Sequence, residues 1–223
     1  MTMLLYALFQ ALASSCQRAA ALHDGTGDLH ASESDLAAAQ RLPPRHVAMH
    51  DPLTGLANRR HLHRALTVGI ARAERSGQGL GVLFLDLDRL KHINDAHGRN
   101  AGDAVLKICG QRFAAALCES GLIARISGDE FVVLLEPCSE ANTAIAAARK
   151  LLDAVGKPIL LNGQEIAITA SIGIALYPFD GADGETLLQH ADIAHFRVKE
   201  QGRNNYQFHS AQTNTPPAER VAA

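Results

Sequence analysis

The sequence lacks the features that mark several specialised classes of protein. It carries a net charge of −2 at pH 7, so no basic excess points to nucleic-acid binding through a positive surface. Its 4 cysteines lie far apart, without the CxxC spacing of zinc or redox sites, and we interpret them as reduced thiols of a cytoplasmic protein. The apolar stretch at residues 3–13 is shorter than the about 20 residues of a membrane span and lacks the basic start of a signal peptide.

The hydrophobic content, in contrast, is typical of a globular protein. Hydrophobic residues make up 47% of a 223-residue chain, which is enough for one domain with extensions. We divide the chain into an alanine-rich helical or flexible leader (1–45), a domain (46–209) and a tail (210–223). Pro43 and Pro44 prevent a helix from continuing out of the leader, and the tail, with Pro216 and Pro217, is predicted to be disordered.

Within the domain, helical and strand patterns alternate. Apolar residues at helical spacing predict helices over 58–75, 102–117, 139–155 and 183–200, with Ser139 as an N-cap and Gly202 as a terminator. Short apolar runs predict strands over 80–87, 122–126, 132–135, 159–161, 166–177 and 206–208. This order favours an α/β (α+β) fold in which helices flank a mainly antiparallel central sheet.

Two acidic pairs stand at the ends of predicted strands. Asp129 and Glu130 occupy the tip of a predicted hairpin, and Asp86 and Asp88 close the apolar run 81–85. Carboxylates brought together at strand ends repel one another unless a cation lies between them. Mg²⁺ takes a few carboxylates and leaves its other positions to water and substrate phosphates, so the pattern predicts a metal-dependent nucleotide enzyme.

Five motifs, in order along residues 46–209, resemble those of the GGDEF domain, the diguanylate cyclase family. They are DPLTGLANRR at 51–60, FLDLD at 84–88 followed by Lys91, Asn94 and Asp95, GRNAGD at 98–103, SGDEF at 127–131, and the closing block from Ala191 to Asn204. The resemblance implies a palm-like fold of the nucleotide-cyclase and polymerase type. It also implies condensation of two GTP into cyclic di-GMP and two pyrophosphates, at a site formed across a homodimer.

The resemblance assigns the acids to catalysis. Asp86 and Asp129 would be the side-chain ligands of Mg²⁺ or Mn²⁺, two ions per site, and the Leu87 carbonyl would add a backbone oxygen. Glu130 is either a further ligand or the acceptor of the proton from the attacking 3′-hydroxyl. We expect a structural role for Asp88.

Substrate recognition is also assigned by resemblance. Asn94 and Asp103 match the residues that read guanine, because an amide and a carboxylate complement the edge of that base. The alternatives are a turn residue for Asn94 and a helix N-terminal acid for Asp103.

The phosphates of the substrate are assigned to cations. Lys199 and Arg203, one helical turn apart, match the positions that hold the triphosphate tail, although cations also favour helix C-termini in general. Lys91 is a weaker phosphate candidate and has an equal structural alternative, and Gly128 of the signature turn completes the substrate-binding set.

Some positions depart from the family pattern. Ser127 replaces the first glycine of the signature, which would cost about 1–2 kcal/mol if that position needs φ > 0. Residues 118–121 stand where the family has the Arg-x-x-Asp of its product-inhibition site, and both charged anchors are missing. We therefore expect no feedback inhibition through that site. We expect Asp51, Asn58 and Arg59 to brace the start of the domain.

The sequence thus predicts a cytoplasmic diguanylate cyclase that acts as a homodimer. The main alternative is a degenerate GGDEF module that binds GTP and regulates a partner without turnover. A third possibility, an interaction protein without nucleotide, requires that GTP has no stabilising effect on the fold.

Overall fold

The computed structural model describes residues 48–117, 121–161 and 163–210. The predicted leader and all but the first residue of the predicted tail lie outside these ranges. Their boundaries therefore stay predictions.

The domain is built on a six-stranded sheet with a separate two-stranded hairpin. In chain order the strands are β1 (Ala57–Asn58), β2 (Leu80–Asp88), β3 (Gly121–Ser127), β4 (Glu130–Leu135), β5 (Ile159–Leu161), β6 (Gln164–Ile166), β7 (Thr169–Tyr177) and β8 (Tyr206–Phe208). The large sheet has the order β1-β3-β4-β2-β7-β8, and β5 pairs with β6. The three central pairings of the large sheet are antiparallel and its two outer ones are parallel, which confirms the predicted mainly antiparallel sheet.

Helices cover both faces of this sheet. They are α1 (Arg59–Ser76), α2 (Leu90–His97), α3 (Arg99–Ala116), α4 (Ala141–Val155) and α5 (Gly184–Glu200). Side chains alternate between faces along a strand. Leu83, Leu85 and Leu87 of β2 therefore join the core with α2, α3 and α4, whereas Val82 and Phe84 join the core with α1 and α5. Because β2 is covered on both sides, its sequence is continuously apolar up to the acids.

Two local predictions differ from the structure. Helix α4 begins at Ala141 rather than at Ser139, whose hydroxyl accepts a hydrogen bond from Gly79 N at 3.3 Å instead of capping the helix. The predicted strand 166–177 is divided into β6 and β7. Helix α5, in contrast, ends at Glu200 as predicted, with Gln201 as its C-cap and the terminator Gly202 directly after it at φ 111°.

The largest difference is in the segment between β2 and β3. Helix α2 was not predicted, because only Leu90 and Ile93 of its 8 residues are buried and the apolar periodicity is too short to detect. Helix α3 begins at Arg99, three residues before the predicted start at Gly102. None of the helices in the described ranges is both long and apolar enough to cross a bilayer.

Candidate active site

Three of the predicted acids, Asp86, Asp129 and Glu130, come together where β2 ends beside the β3–β4 turn. Asp86 lies directly opposite Glu130 in the antiparallel β2–β4 pairing. One residue further on, Leu87 N donates a hydrogen bond to the carbonyl oxygen of Asp129 at 3.2 Å. The sequence separates these acids by more than forty residues, and the sheet register brings them to one place.

The carboxylates of this cluster are partly buried, and each lies near other negative charges. Burial raises the pKa of Asp86, the hydrogen bond from Lys199 lowers it, and the charge of Asp129 raises it again, with a net upward shift. The pKa of Glu130 is also raised, by burial and then by the charges of Asp86, Asp129 and Asp192. Such a cluster favours binding of a proton or a cation.

Lys199 supplies a positive charge to the cluster from the last turn of α5. Its Nζ lies 2.8 Å from Asp86 Oδ2, and its side chain is 29% exposed. The approach of α5 to the sheet depends on Gly173 of β7, since a Cβ there would lie 1.9 Å from Ala191 O and 2.2 Å from His195 N. Any side chain at 173 would therefore push α5 and Lys199 away from Asp86.

The donor set at this position fits a hard divalent cation that shares its coordination with a substrate. Within the described ranges, no group of three or more histidine, cysteine or acidic side chains forms a complete metal cage. Mg²⁺ does not need one, because it is bound by one or two carboxylates and completes its octahedron with water and phosphate oxygens. Asp86 and Asp129 are two carboxylates that fit this requirement, and Asp86 already has a cationic partner in Lys199.

Asn94 and Asp103, the predicted base-reading pair, lie on the adjacent helices α2 and α3. Asn94 Oδ1 packs against Gly102, where a Cβ would lie only 1.9 Å from it. This oxygen is buried without a hydrogen-bond partner among the described residues, which is uncommon for a buried polar atom. Asp103 follows Gly102 directly, so the structure brings the two side chains to the same helix pair.

The structural alternatives for these two residues are wrong. Asn94 lies inside α2 rather than in a turn. Asp103 is the fifth residue of α3, whose first turn contains no acidic residue, and the effect of the helix dipole falls off within the first turn.

Arg203, in contrast, is not on the same helix as Lys199. It lies beyond the end of α5 with φ 67°, and Asn204 after it has φ 48°. The predicted one-turn spacing of the two cations is therefore wrong, since their relation depends on the loop between α5 and β8. Lys91 is on an exposed position in the first turn of α2.

The sequence interpretation missed Arg125, which supports the signature turn. Its Nε and Nη2 donate to the Gly128 carbonyl at 2.9 and 2.7 Å, and its Nη1 lies 3.0 Å from Asp51 Oδ1. Burial raises the pKa of Asp51, but hydrogen bonds from Thr54 and Arg125 outweigh it, and the net shift is downward. Asp51 thus braces the domain as predicted, and the signal for its partner was an arginine two residues before the signature.

Asn58 and Arg59, at the start of α1, lie near the Asp51–Arg125 pair. Asn58 caps this helix by accepting from His61 N at 3.0 Å, and its Nδ2 donates to Ala48 O at 3.2 Å. Arg59 lines, together with Arg125 and Ser127, a cavity of about 560 Å³ beside the signature turn.

Ser127 fits its position without left-handed backbone strain. Ser127 is not one of the described non-glycine residues with positive φ. The residue of this turn that has a positive φ is Gly128, at 26°. A register shift between Arg125 and Ser127 admits the extra residue in the β3–β4 ladder. Serine at the first signature position therefore does not carry the strain of about 1–2 kcal/mol that a positive φ would cause.

The missing inhibition site corresponds to residues 118–121, and of these the structure describes only Gly121. A Cβ at Gly121, the first residue of β3, would lie 2.3 Å from the backbone oxygen of Leu134. The backbone of this protein therefore has no room for the aspartate that the family pattern places there. The preceding residues, 118–120, lie outside the described ranges.

A mainly antiparallel sheet with acids at the end of its central strand and in the adjacent hairpin turn defines the class of cyclase-palm domains. The chain belongs to the GGDEF family: residues 48–205 match the family model described as "Diguanylate cyclase, GGDEF domain".

Relatives of known name agree with this membership. The chain is 39% identical over 172 residues to the diguanylate cyclase TpbB of Pseudomonas aeruginosa, a match that covers 77% of this chain and 39% of that protein. It is 40% identical over 168 residues to the cyclic di-GMP phosphodiesterase NbdA of the same organism, over 75% of this chain and 21% of that one. The chain therefore spans well under half the length of these curated relatives.

A solved structure supports the fold directly. The structure of TpbB comprising only the GGDEF domain superposes with a TM-score of 0.70 at 38% identity, and the match covers 74% of this chain and 96% of that one. The predicted α+β palm-like fold is thus confirmed.

Proposed function

We propose that the protein is an active diguanylate cyclase that condenses two GTP into cyclic di-GMP and two pyrophosphates. The observation that carries the proposal is the cluster of Asp86, Asp129 and Glu130, in which Asp86 is paired with Lys199, at the place where the family has its catalytic turn. Family membership and the named cyclase among the relatives support the same reaction.

Asp86 and Asp129, with the Leu87 carbonyl, would hold Mg²⁺ or Mn²⁺. When bound, the cations lower the pKa of the attacking 3′-hydroxyl and neutralise charge on the leaving oxygens. Glu130 has a raised pKa and lies opposite Asp86, so it is suited to accept the hydroxyl proton, or alternatively to bind a cation. Lys199 is 2.8 Å from Asp86 and would exchange this partner for oxygens of the triphosphate.

Guanine would be read by the helix pair α2 and α3. The Asn94 amide would donate to O6 or N3 of the base, and the exposed carboxylate of Asp103 would accept from its N1–H and N2–H. Adenine has neither an N1–H nor a 2-amino group, so it would leave the Asp103 carboxylate unpaired and be rejected.

The reaction needs two GTP molecules with opposed orientation. Each subunit of a cytoplasmic homodimer would bind one GTP, and two-fold symmetry would bring each 3′-hydroxyl to the α-phosphate of the other.

The test is incubation of the full chain with GTP and Mg²⁺, with detection of cyclic di-GMP. We expect product from the unchanged chain and none from Asp129→Ala. The matched control is Asp153→Ala, which removes an exposed carboxylate from α4 and should retain the activity. Absence of product from the unchanged chain, under conditions where it is folded, would contradict the proposal.

A second function is favoured by one comparison. A relative with equal identity to this chain is a phosphodiesterase, so identity at this level does not by itself imply cyclase activity of the domain. A regulatory GGDEF module that binds GTP would bind the nucleotide tightly, as measured by calorimetry, without forming cyclic di-GMP.

A further inference from the structure

One buried carboxylate next to the site has no part in the mechanism above. Asp88 is the last residue of β2 and is only 5% exposed. Among the described residues, no lysine, arginine or histidine forms an ion pair with it. Since burial removes the hydration of a carboxylate, hydrogen-bond donors have to replace it.

These donors connect the sheet to the loop after α5. Thr169 Oγ1 donates to Asp88 Oδ2 and Ser171 Oγ donates to Asp88 Oδ1, both at 2.7 Å. Thr169 and Ser171 are two residues apart on β7 and so lie on the same face of the sheet. The third donor is the backbone N–H of Asn204, 3.2 Å from Asp88 Oδ2.

The loop that this bond holds has an unfavourable backbone. Arg203 and Asn204 are consecutive non-glycine residues with positive φ, and such conformations persist only where neighbouring contacts impose them. Besides the carboxylate bond, Arg203 N donates to Val198 O at 3.0 Å and Ile172 N donates to the carbonyl of the next loop residue, Asn205, at 3.0 Å. The carboxylate is thus the only charged acceptor in this set of contacts.

We propose that Asp88 is a positioning residue for Arg203. Its carboxylate holds the 203–204 backbone in the left-handed conformation and fixes the point from which the Arg203 side chain reaches the triphosphate. A pre-organised loop avoids the entropy cost of ordering on binding, so the same guanidinium contact gives a higher affinity. The inference rests on the proposed function, because Arg203 has a triphosphate to bind only if the domain binds GTP.

The first test needs no nucleotide. Asp88→Ala removes both acceptor oxygens, so the backbone N–H of Asn204 loses its partner. We expect the backbone amide of Asn204 to be protected from hydrogen exchange in the unchanged chain and to exchange faster in this variant. Equal exchange at Asn204 in both proteins would overturn the anchoring role.

The second test is a double-mutant cycle on GTP binding, measured by calorimetry. Asp88→Ala and Arg203→Ala should each raise Kd, roughly tenfold for the loss of one well-placed charged contact. If Asp88 acts through Arg203, the double variant should bind about as weakly as Arg203→Ala alone, because coupled residues are not additive. Losses that multiply, to roughly a hundredfold, would mean that Asp88 acts independently and would overturn the proposal.

Asp180→Ala is the matched control. Asp180 is equally buried, at 4% exposure, and accepts a hydrogen bond from Leu176 N at 2.8 Å, but it contacts no residue of the proposed site in the described ranges. This variant should leave the Kd for GTP unchanged.

The outcomes separate the inference from the proposed function. If the chain binds GTP but forms no cyclic di-GMP, the cyclase proposal is wrong, and the double-mutant cycle can still be measured. If the chain forms cyclic di-GMP but the two substitutions raise Kd independently, only the positioning role of Asp88 is wrong. A chain that binds no GTP defeats both.

Discussion

Lys199 Nζ lies 2.8 Å from Asp86 Oδ2 and so joins the last turn of α5 to the end of the central strand. The pair connects a cation proposed to bind phosphate with an acid proposed to bind metal. Before substrate arrives, the ammonium group neutralises part of the negative cluster.

Replacing Lys199 should reduce turnover strongly. Lys199→Met retains the apolar stem but removes the charge, and loss of one such electrostatic donor costs about 10²–10³ in kcat at comparable sites. Steady-state formation of cyclic di-GMP measures the effect. Lys150→Met, on the exposed surface of α4, is the matched control and should be active. Near-normal activity of Lys199→Met would exclude the lysine from the reaction.

Neutralising Glu130 should stabilise the metal-free protein in a pH-dependent way. Because the pKa of Glu130 is raised, the folded state keeps this proton to a higher pH than the unfolded state does. The free energy of unfolding therefore falls as the pH rises above the ordinary pKa of a glutamate. Glu130→Gln should raise Tm by a few degrees at pH 7 in EDTA. At about pH 3, where both states are protonated, the two proteins should have equal Tm values.

The same melting experiment can be repeated with divalent cation. Mg²⁺ should stabilise the unchanged chain, because it is proposed to bind the acids of the folded state and not the unfolded chain. Its effect on Asp129→Ala should be smaller. An equal shift in both proteins would contradict binding of the ion at this cluster.

Replacing Arg125 with lysine should substantially lower the stability of the fold. A lysine carries the charge but lacks the planar fork that contacts both Asp51 and the Gly128 carbonyl. We expect Arg125→Lys to lower the free energy of unfolding in urea by about 1–3 kcal/mol. The control is Arg72→Lys, since Arg72 is 60% exposed in its ion pair with Glu136 and should lose less than about 1 kcal/mol.

Gly102 and Gly110 of α3 offer a matched pair for base recognition. A Cβ at Gly102 would displace Asn94, whereas one at Gly110 meets only Leu56 and Thr54 side chains at 3.3 Å or more. Gly102→Ala should raise KM for GTP and weaken discrimination against ATP, and Gly110→Ala should do neither. Both gain helix propensity of about 1 kcal/mol, so a difference between them reports the contact with Asn94.

Turnover should be insensitive to cyclic di-GMP at the missing inhibition site. Both charged anchors of that site are absent from residues 118–121, and the backbone at Gly121 has no space for a side chain. Progress curves with added micromolar product should therefore superpose on those without it. Inhibition that is lost on substitution of Cys118 would contradict this.

The sequence determined the fold class, the central strand and the signature hairpin, because these depend on local properties: continuous apolar runs, short turns and recognisable motifs. It also identified Asp86, Asp129 and Lys199 as candidates. Helix α2 escaped detection because two buried residues are too few to establish a period.

Only the tertiary structure decided how these groups relate. The β2–β4 register sets Asp86 opposite Glu130, and the absence of a side chain at Gly173 brings α5 within reach of Asp86. Arg125 and Asp88 acquire their roles from partners that are 74 and 116 residues away in the chain. Pairings over such separations are fixed by sheet register and packing, which no local pattern of residues encodes.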